Sequence, residues 1–404
     1  MQVFQEIHSC FLQQRPVDQH LSRFFRRNSQ FGSRDRRWIS ATIFGYYRWY
    51  GWLKQLSEQQ LKLALLLGYL LDGNEVNELT LHWGKQLGFE ADWFLRFESH
   101  SSLDLEKKSK IVAEFIQDST VDSLNPNFIP KLDLQLITSL QTRPHLWIRL
   151  LDAQNQSFPK FLDKKGINYS AHPTLKNALA VHAPVNLHES MDFKKGKLEV
   201  QDLSSQIIGL ICKPQPGENW WDVCSGSGGK ALHLAALMNG TGKIYATDIR
   251  HQALKECAKR MKRAAWKNIT PQVWDGQKLP EALPALDGIL VDAPCSCSGT
   301  WRRSPDIRWS LSKEKVLEFA ELQFNILKQV APVLPAGKTL VYATCSILPE
   351  ENEQVIARFL KEFPEYCLLP MTHPLTGDIT TEGLYLLPPE VDGNGMFVAA
   401  LTKR

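Results

Sequence analysis

The sequence has no C-x-x-C pair among its eight cysteines (Cys10, Cys212, Cys224, Cys257, Cys295, Cys297, Cys345 and Cys367), so a zinc site is not expected, and no metal is predicted. It has no apolar run long enough to cross a bilayer. The longest, "LKLALLLGYLL" over residues 61–71, is interrupted by Lys62 and is too short, so no membrane association is expected. The first residues, "MQVFQEIHSCFLQQRP", lack a basic stretch followed by an apolar core, so no secretory leader is expected. A cytoplasmic location, reduced thiols and a monomeric chain are the resulting expectations. There is no internal repeat, no low-complexity segment and no large charge excess. With 47 Lys and Arg against 43 Asp and Glu the net charge is +4, too small to establish a nucleic-acid partner by itself.

What the sequence does have is enough apolar material for real cores, 43% of its 404 residues, and length for two to three domains. Its positive charge is also clustered. Arg15, Arg23, Arg26, Arg27, Arg34, Arg36, Arg37 and Arg48 stand among aromatic residues with only Asp18 and Asp35 against them. Such a cluster suits an RNA or DNA surface, and equally a solvated helix face.

Residues 1–128 read as helical. In "GSRDRRWISATIFGYYRWYGWL", Ser33 is the expected N-cap, with Asp35 in the first turn. Residues 39, 43, 46, 50 and 53 place apolar or aromatic side chains on one face. "SEQQLKLALLLGYLL" and "LEKKSKIVAEFIQ" are further helices. Asn125-Pro126 and Pro130 in "VDSLNPNFIPKLD" predict a linker. Short strands ("HLWIRL", "ALAVHA", "KLEVQD") mixed with helical pieces predict a small α+β subdomain over 129–199. From 200 to 404 strands and helices alternate ("WWDVC", "GKALHLAALM", "KIYATD", "QALKECAKRMKRAAW", "GILVDAP", "TLVYATCS", "GMFVAALTKR"), which predicts an α/β domain with a doubly wound sheet. Cys10, Cys212, Cys257 and Cys367 stand in apolar or helical contexts and read as packing residues.

The turn "CSGSGGK", Cys224, Ser225, Gly226, Ser227, Gly228, Gly229 and Lys230, joins a strand to a helix, where glycines admit a ligand and helix N–H groups face it. Asp248 ends the next strand, nineteen residues after Gly229, and an acid there can accept hydrogen bonds from ribose hydroxyls. These features suit a nicotinamide dinucleotide or S-adenosylmethionine alike, and a purely structural turn remains an alternative. Asp222, Asp275 and Asp292 stand at the ends of further strands, where ligands of open α/β sheets bind.

"EVQDLSSQ", "DVCSGSGGK", "ATD", "WDG", "DAPCSCSGTWRRSPDIRW", "TCSILPEENEQV" and "GMFVAAL" follow one another in an order and spacing that resembles the RsmB/Sun family of S-adenosylmethionine-dependent RNA 5-methylcytosine methyltransferases. "FGSRDRRWISATIFGYYRWY" resembles the NusB-type helical domain of bacterial RsmB proteins. The resemblance implies a Rossmann-like doubly wound methyltransferase sheet, preceded by a small α+β subdomain and an all-α NusB-like domain. It implies S-adenosyl-L-methionine as cofactor, held by residues 224–230, Asp248, Asp275 and Asp292, and an RNA substrate. Ribosomal RNA of the small subunit is the expected substrate, with transfer RNA as the alternative. Two departures stand out. Ser227 replaces the family's usual proline, which predicts a looser turn, and Cys297 replaces a glycine and reads as loop filler.

The chemistry that the resemblance implies uses both remaining thiols. Cys345, in Thr-Cys-Ser, adds to carbon 6 of cytosine so that carbon 5 can accept a methyl group, and Cys295, in Pro-Cys, assists elimination. The arrangement of DNA cytosine methyltransferases would instead make Cys295 the nucleophile. A helix start near "LPEENEQV" is expected to lower the Cys345 pKa. Asp292 matches a residue that contacts the cytosine ring, and Lys230 one near the target base. Arg302, Arg303 and Arg308, interleaved with Trp301 and Trp309, and Arg34, Arg36 and Arg37 of the helical domain, are the candidate RNA contacts. Salt bridges to acids such as Asp306 are the competing assignment for the first three. A dehydrogenase-like Rossmann enzyme would leave Cys295 and Cys345 unexplained, and a non-catalytic RNA-binding assembly factor would have no need of them.

Overall fold

Hydrophobic periodicity separates the chain into a helical part and an alternating part, and the computed structural model, which describes residues 1–98, 104–129, 132–280 and 283–404, divides accordingly. One unit comprises Met1–Arg143 and Thr300–Lys313, the other Pro144–Gly299 and Glu314–Arg404.

The first unit is helical. Its centre is the helix Leu61–Leu71, in which Leu63 through Leu71 are all buried. A helix that is apolar all round belongs in the middle of a bundle, and this explains the long leucine run without a membrane. No helix among the described residues is long and apolar enough to cross one. The aromatic face of the helix Ser33–Arg48 continues into Tyr50–Leu53, with Tyr47, Trp49 and Trp52 fully buried. The N-cap is Gly32 rather than Ser33. The Gly32 amide donates to Asp35 Oδ2 at 3.1 Å, so Asp35 caps one residue earlier than expected.

The segment expected as a linker is partly core. Leu124 is fully buried in the helical unit, and Ile137, on the helix Leu134–Leu140, belongs to the same cluster. The helical unit runs on as far as Arg143 in this part of the chain. Pro130 lies outside the described residues.

In the second unit, strands β1 (Leu146–Leu150), β2 (Tyr169–Ala171), β3 (Ala178–Val181) and β4 (Leu198–Val200) form an antiparallel sheet in the order β2-β3-β1-β4. An eight-stranded sheet follows. β5 (Asn219–Asp222), β6 (Lys243–Asp248), β7 (Ile269–Val273), β8 (Gly288–Asp292) and β9 (Thr339–Thr344) are parallel, in the order β7-β6-β5-β8-β9. β10 (Tyr366–Leu368) and β14 (Met396–Lys403) extend the edge beyond β9, and β14 pairs antiparallel with both β9 and β10. A small hairpin of β11 (Met371–Thr372) and β12 (Ile379–Thr380) stands apart, and β13 (Leu384–Leu386) pairs with β14. The central strands are apolar on both faces because helices cover each side. Strand order reverses between β5 and β8, so a crevice opens at their carboxyl ends.

Candidate active site

The crevice is built from the turn after β5. Gly228 has φ +81° and caps the helix Gly229–Leu237. A Cβ at this position would lie 2.4 Å from Cys257 Sγ, so only glycine fits. Ser227 is not loose. Its carbonyl and hydroxyl oxygens accept hydrogen bonds from Arg260 Nη1 at 3.1 and 3.0 Å. Arg260 is anchored in turn on buried Glu199, which also pairs with Arg263. The proline that the resemblance would place here is replaced by a side-chain clasp.

Asp248, at the end of β6, accepts the Gly226 amide at 2.9 Å and the Arg250 amide and guanidinium at 2.8–3.0 Å. Burial pushes its carboxyl up, but the bonds from Arg250 and Gly226 outweigh burial and hold it below the usual carboxylate range. Asp292, at the end of β8, accepts from Lys230 Nζ at 2.7 Å. Burial alone would push the Lys230 ammonium down; Asp292, with help from Asp222, holds it above the usual lysine range. Asp222, at the end of β5, has no exposed surface, and burial together with the Asp292 charge pushes its carboxyl up to about 8. Asp275, two residues past β7, is exposed, and its carboxylate accepts the Gln277 amide at 3.0 Å.

Cys295 follows β8 and Cys345 follows β9. Since these strands are adjacent and parallel, the two thiols meet, with Sγ atoms 3.2 Å apart. Sequence reasoning missed what holds them. Glu351 is fully buried between the two loops. Its carboxylate accepts the Ser296 amide at 2.8 Å, the Ser296 hydroxyl, the Ser346 hydroxyl at 2.5 Å and the Gln323 amide at 3.0 Å. Ser296 and Ser346 are the residues immediately after the two cysteines. Ser298 and Ser346 hydroxyls lie 2.9 Å apart, and the Gly299 amide donates to the Cys345 carbonyl at 2.9 Å. Gly299 is required there because a Cβ would lie 1.8 Å from the Gly395 carbonyl oxygen. The only sequence signal for Glu351 is an acid inside an acidic run, which ordinarily marks a solvated surface.

Cys297 occupies the family's glycine position with φ +57°, and its Sγ joins the other two; all three sulfur atoms lie within 4.8 Å of one another. Hydrogen bonds from Cys295 and Cys345 push the Cys297 thiol well down. For Cys345, the bond with Cys295 acts downward, but Cys297, burial and the charge of Asp292 together push its thiol up. This reverses the expectation of a helix-lowered Cys345. The helix begins only at Glu353, after a short turn over Pro349–Glu351, so its amides are not at the thiol.

The arginine expectations divide. Arg34 and Arg37 are exposed, as are Arg15, Arg23, Arg26, Arg27 and Arg303. Arg36 is half-buried, with Nε donating to the Phe31 carbonyl. Arg302 and Arg308 are buried inside the helical unit, contrary to the expectation of phosphate contacts. Arg302 Nε and Nη2 reach the Thr142 and Arg143 carbonyls at 3.4 Å, while Arg308 bonds the Asn125 side chain and stacks over Trp301. Nor does Asp306 take the arginines, since its carboxylate accepts the Val17 amide at 3.0 Å. Arg48, also buried, pairs with Asp72 at 2.5 Å.

A doubly wound sheet in this strand order, with a glycine turn after its first parallel strand and acids closing the next strands, defines a Rossmann-like α/β domain with a ligand crevice. Residues 209–402 match the family described as 16S rRNA methyltransferase RsmB/F. Ribosomal RNA small subunit methyltransferase B of Yersinia pseudotuberculosis (serotype O:1b, strain IP 31758) is 34% identical over 279 residues. That match covers 67% of this chain and 62% of the relative. The crystal structure of a methyltransferase homolog protein from Pyrococcus horikoshii is 28% identical, with TM-score 0.57 over 67% of this chain and 90% of that one. The crystal structure of PH0851 shares the fold over 98% of this chain and 97% of its own, at TM-score 0.77 and 24% identity.

Proposed function

We propose that this protein is an S-adenosylmethionine-dependent RNA cytosine-5 methyltransferase that acts on small-subunit ribosomal RNA. The observation that carries the reading is the pair of thiols 3.2 Å apart at the ends of adjacent parallel strands, beside the Lys230–Asp292 pair. One thiol suffices for packing; two in contact at strand ends suit an addition followed by an elimination.

The crevice also fits the cofactor. Ser225 Oγ is buried without a hydrogen-bond partner among the described residues. Cys224 through Lys230, Asp248, Asp275 and Asp292 are the residues that would hold it. When bound, S-adenosylmethionine supplies an electrophilic methyl group on a sulfonium.

Cys345 Sγ gives up its proton to solvent and forms a bond to carbon 6 of cytosine, and the electron pair of the carbon 5–carbon 6 double bond moves onto carbon 5. Lys230 and Asp292 hold a proton at the ring nitrogen side as that charge develops. After carbon 5 is methylated, it loses its own proton as the carbon 6–sulfur bond breaks and Cys345 recovers its electron pair. Cys295 assists this elimination as a neighbouring proton carrier. The raised Cys345 thiol means that deprotonation accompanies substrate engagement rather than preceding it. The ribosomal substrate is taken from the named relatives. Tritium transfer from methyl-labelled S-adenosylmethionine to 16S ribosomal RNA, with bisulfite sequencing of the product, tests the reading. Label on transfer RNA alone would overturn the substrate, and label at a position that is not cytosine carbon 5 would overturn the chemistry.

A further inference from the structure

We propose that Cys295, Cys297 and Cys345 together form a binding site for a thiophilic d10 cation of the zinc type, and that this ion reversibly blocks the site. The blocking effect rests on the methyltransferase reading above; the binding does not.

Three observations carry it. The first is geometric. The three sulfur atoms lie within 4.8 Å of one another, and two of them are 3.2 Å apart. Thiolates at about 2.3 Å from a zinc ion stand roughly 4 Å from each other, so the cluster needs only small shifts to close on one ion. The loops that carry Cys295 and Cys345 are already fixed by Glu351 and by the Gly299 amide.

The second is the backbone. Cys297 sits at φ +57°, where a side chain costs on the order of 1 kcal/mol that glycine would not. The proposed reaction uses two thiols, and Cys297 has no part in it. Nevertheless the strained position delivers a third sulfur to the same point. The third is charge. Three thiolates and one divalent ion leave a single net negative charge. Lys230, paired with Asp292, acts electrostatically on Cys345, and Arg250, paired with Asp248, acts on Cys297, so each of these sulfur atoms faces an ion pair rather than a lone acid. Each thiol that binds releases its proton to solvent, and no electrons change hands. Soft sulfur ligands select zinc or cadmium over magnesium or calcium. The C-x-C spacing of Cys295 and Cys297 does not announce the site, because the third ligand comes from the next strand.

The test uses full-length protein, reduced with a phosphine and stripped of metal. Cadmium is titrated while thiolate-to-metal absorbance in the near ultraviolet is followed, and zinc affinity is measured by competition with a chromophoric chelator. One ion per chain is expected. Cys297→Gly should keep methyl transfer in metal-free buffer and lose zinc affinity by about 100-fold or more, and Cys297→Ser should lose affinity as well. Zinc should inhibit the parent enzyme, with activity restored by chelator, and spare Cys297→Gly. Equal affinity in parent and variants, or no binding near one ion per chain, would overturn the site. If cadmium binds in a Cys297-dependent way and no RNA is methylated by either protein, the site stands and the methyltransferase reading fails.

Discussion

The Sγ atoms of Cys295 and Cys345 lie 3.2 Å apart although fifty residues of chain separate them. Parallel pairing of β8 with β9 accounts for this, because it brings the carboxyl ends of both strands to the same level. Two thiols in contact, one half-buried and one buried, can divide the work of bond making and proton transfer.

Replacement separates the two roles. Cys345→Ala should abolish methylation and form no covalent RNA adduct, since nothing remains to attack carbon 6. Cys295→Ala should still attack and methylate but release slowly, with turnover reduced about 10²–10⁴-fold, the usual range for loss of a proton-transfer group. It should run as a denaturant-resistant RNA-linked band in a gel. The opposite pattern, an adduct from Cys345→Ala alone, would assign attack to Cys295.

Glu351 should matter to both thiols without touching the base. Glu351→Ala leaves the Ser296 and Ser346 hydroxyls and the Ser296 amide without their shared acceptor, at a cost of about 2–5 kcal/mol for a buried charged hydrogen-bonding group. Thermal melts should fall, and kcat should fall more than KM changes. Glu351→Gln keeps an acceptor toward the Ser296 amide and should recover much of the activity. A Glu351→Ala enzyme with unchanged kcat would show that the loops hold their geometry unaided.

The parallel sheet and its glycine turn were legible in the sequence because strand, turn and helix alternate with a period that burial on both faces imposes. The acids that end β6 and β8 were legible for the same reason. What was not legible depends on tertiary partners. Arg302 and Arg308 look like phosphate contacts in "TWRRSPDIRW", yet their partners are the Thr142 and Arg143 carbonyls and Asn125, more than a hundred residues away. Leu124 lies in a proline-bearing stretch that reads as linker, but its side chain fills the helical core. The Ser227 clasp needed knowledge that Arg260 comes back across the turn.

Asp248 should govern cofactor affinity. Asp248→Ala removes an acceptor for ribose hydroxyls and also the partner of the Gly226 amide. Binding of S-adenosylmethionine, measured by calorimetry, should weaken by about 1.5–3 kcal/mol. Asp248→Asn should lose less. Unchanged affinity in both would move the ribose to another strand end.

The exposed and buried arginines should behave differently. Joint replacement of Arg34, Arg37 and Arg303 by Gln should leave the melting temperature near that of the parent and flatten the salt dependence of RNA binding. On single-stranded RNA the slope should drop by about 0.7 for each phosphate that the protein no longer neutralises. Arg308→Ala should instead lower stability, by about 2–4 kcal/mol, because it strips a buried group that bonds Asn125 and stacks on Trp301. A stable Arg308→Ala protein with a flatter salt slope would return that residue to the RNA surface.

Asp306 predicts a pH-dependent stability term in the helical unit. Burial pushes its carboxyl up from 3.8 to about 6, although the Val17 amide acts in the opposite direction. In the unfolded chain it ionises near its ordinary value. Between about pH 4 and 6 the folded state therefore binds more protons than the unfolded state, and stability falls as pH rises through this window. The loss levels off above the folded pKa, at about 3 kcal/mol by the usual 1.36 kcal/mol per unit. Other carboxylates titrate in the same range, so the comparison must be differential. Melting temperatures of the parent and of Asp306→Asn, measured from pH 4 to 8, should diverge as pH rises, with the parent losing ground to the variant until about pH 6 and holding a constant gap beyond. The Asn side chain still offers an oxygen to the Val17 amide and carries no charge at any of these values. Two curves that run parallel across the whole range would show that Asp306 ionises as freely in the folded protein as in the unfolded one.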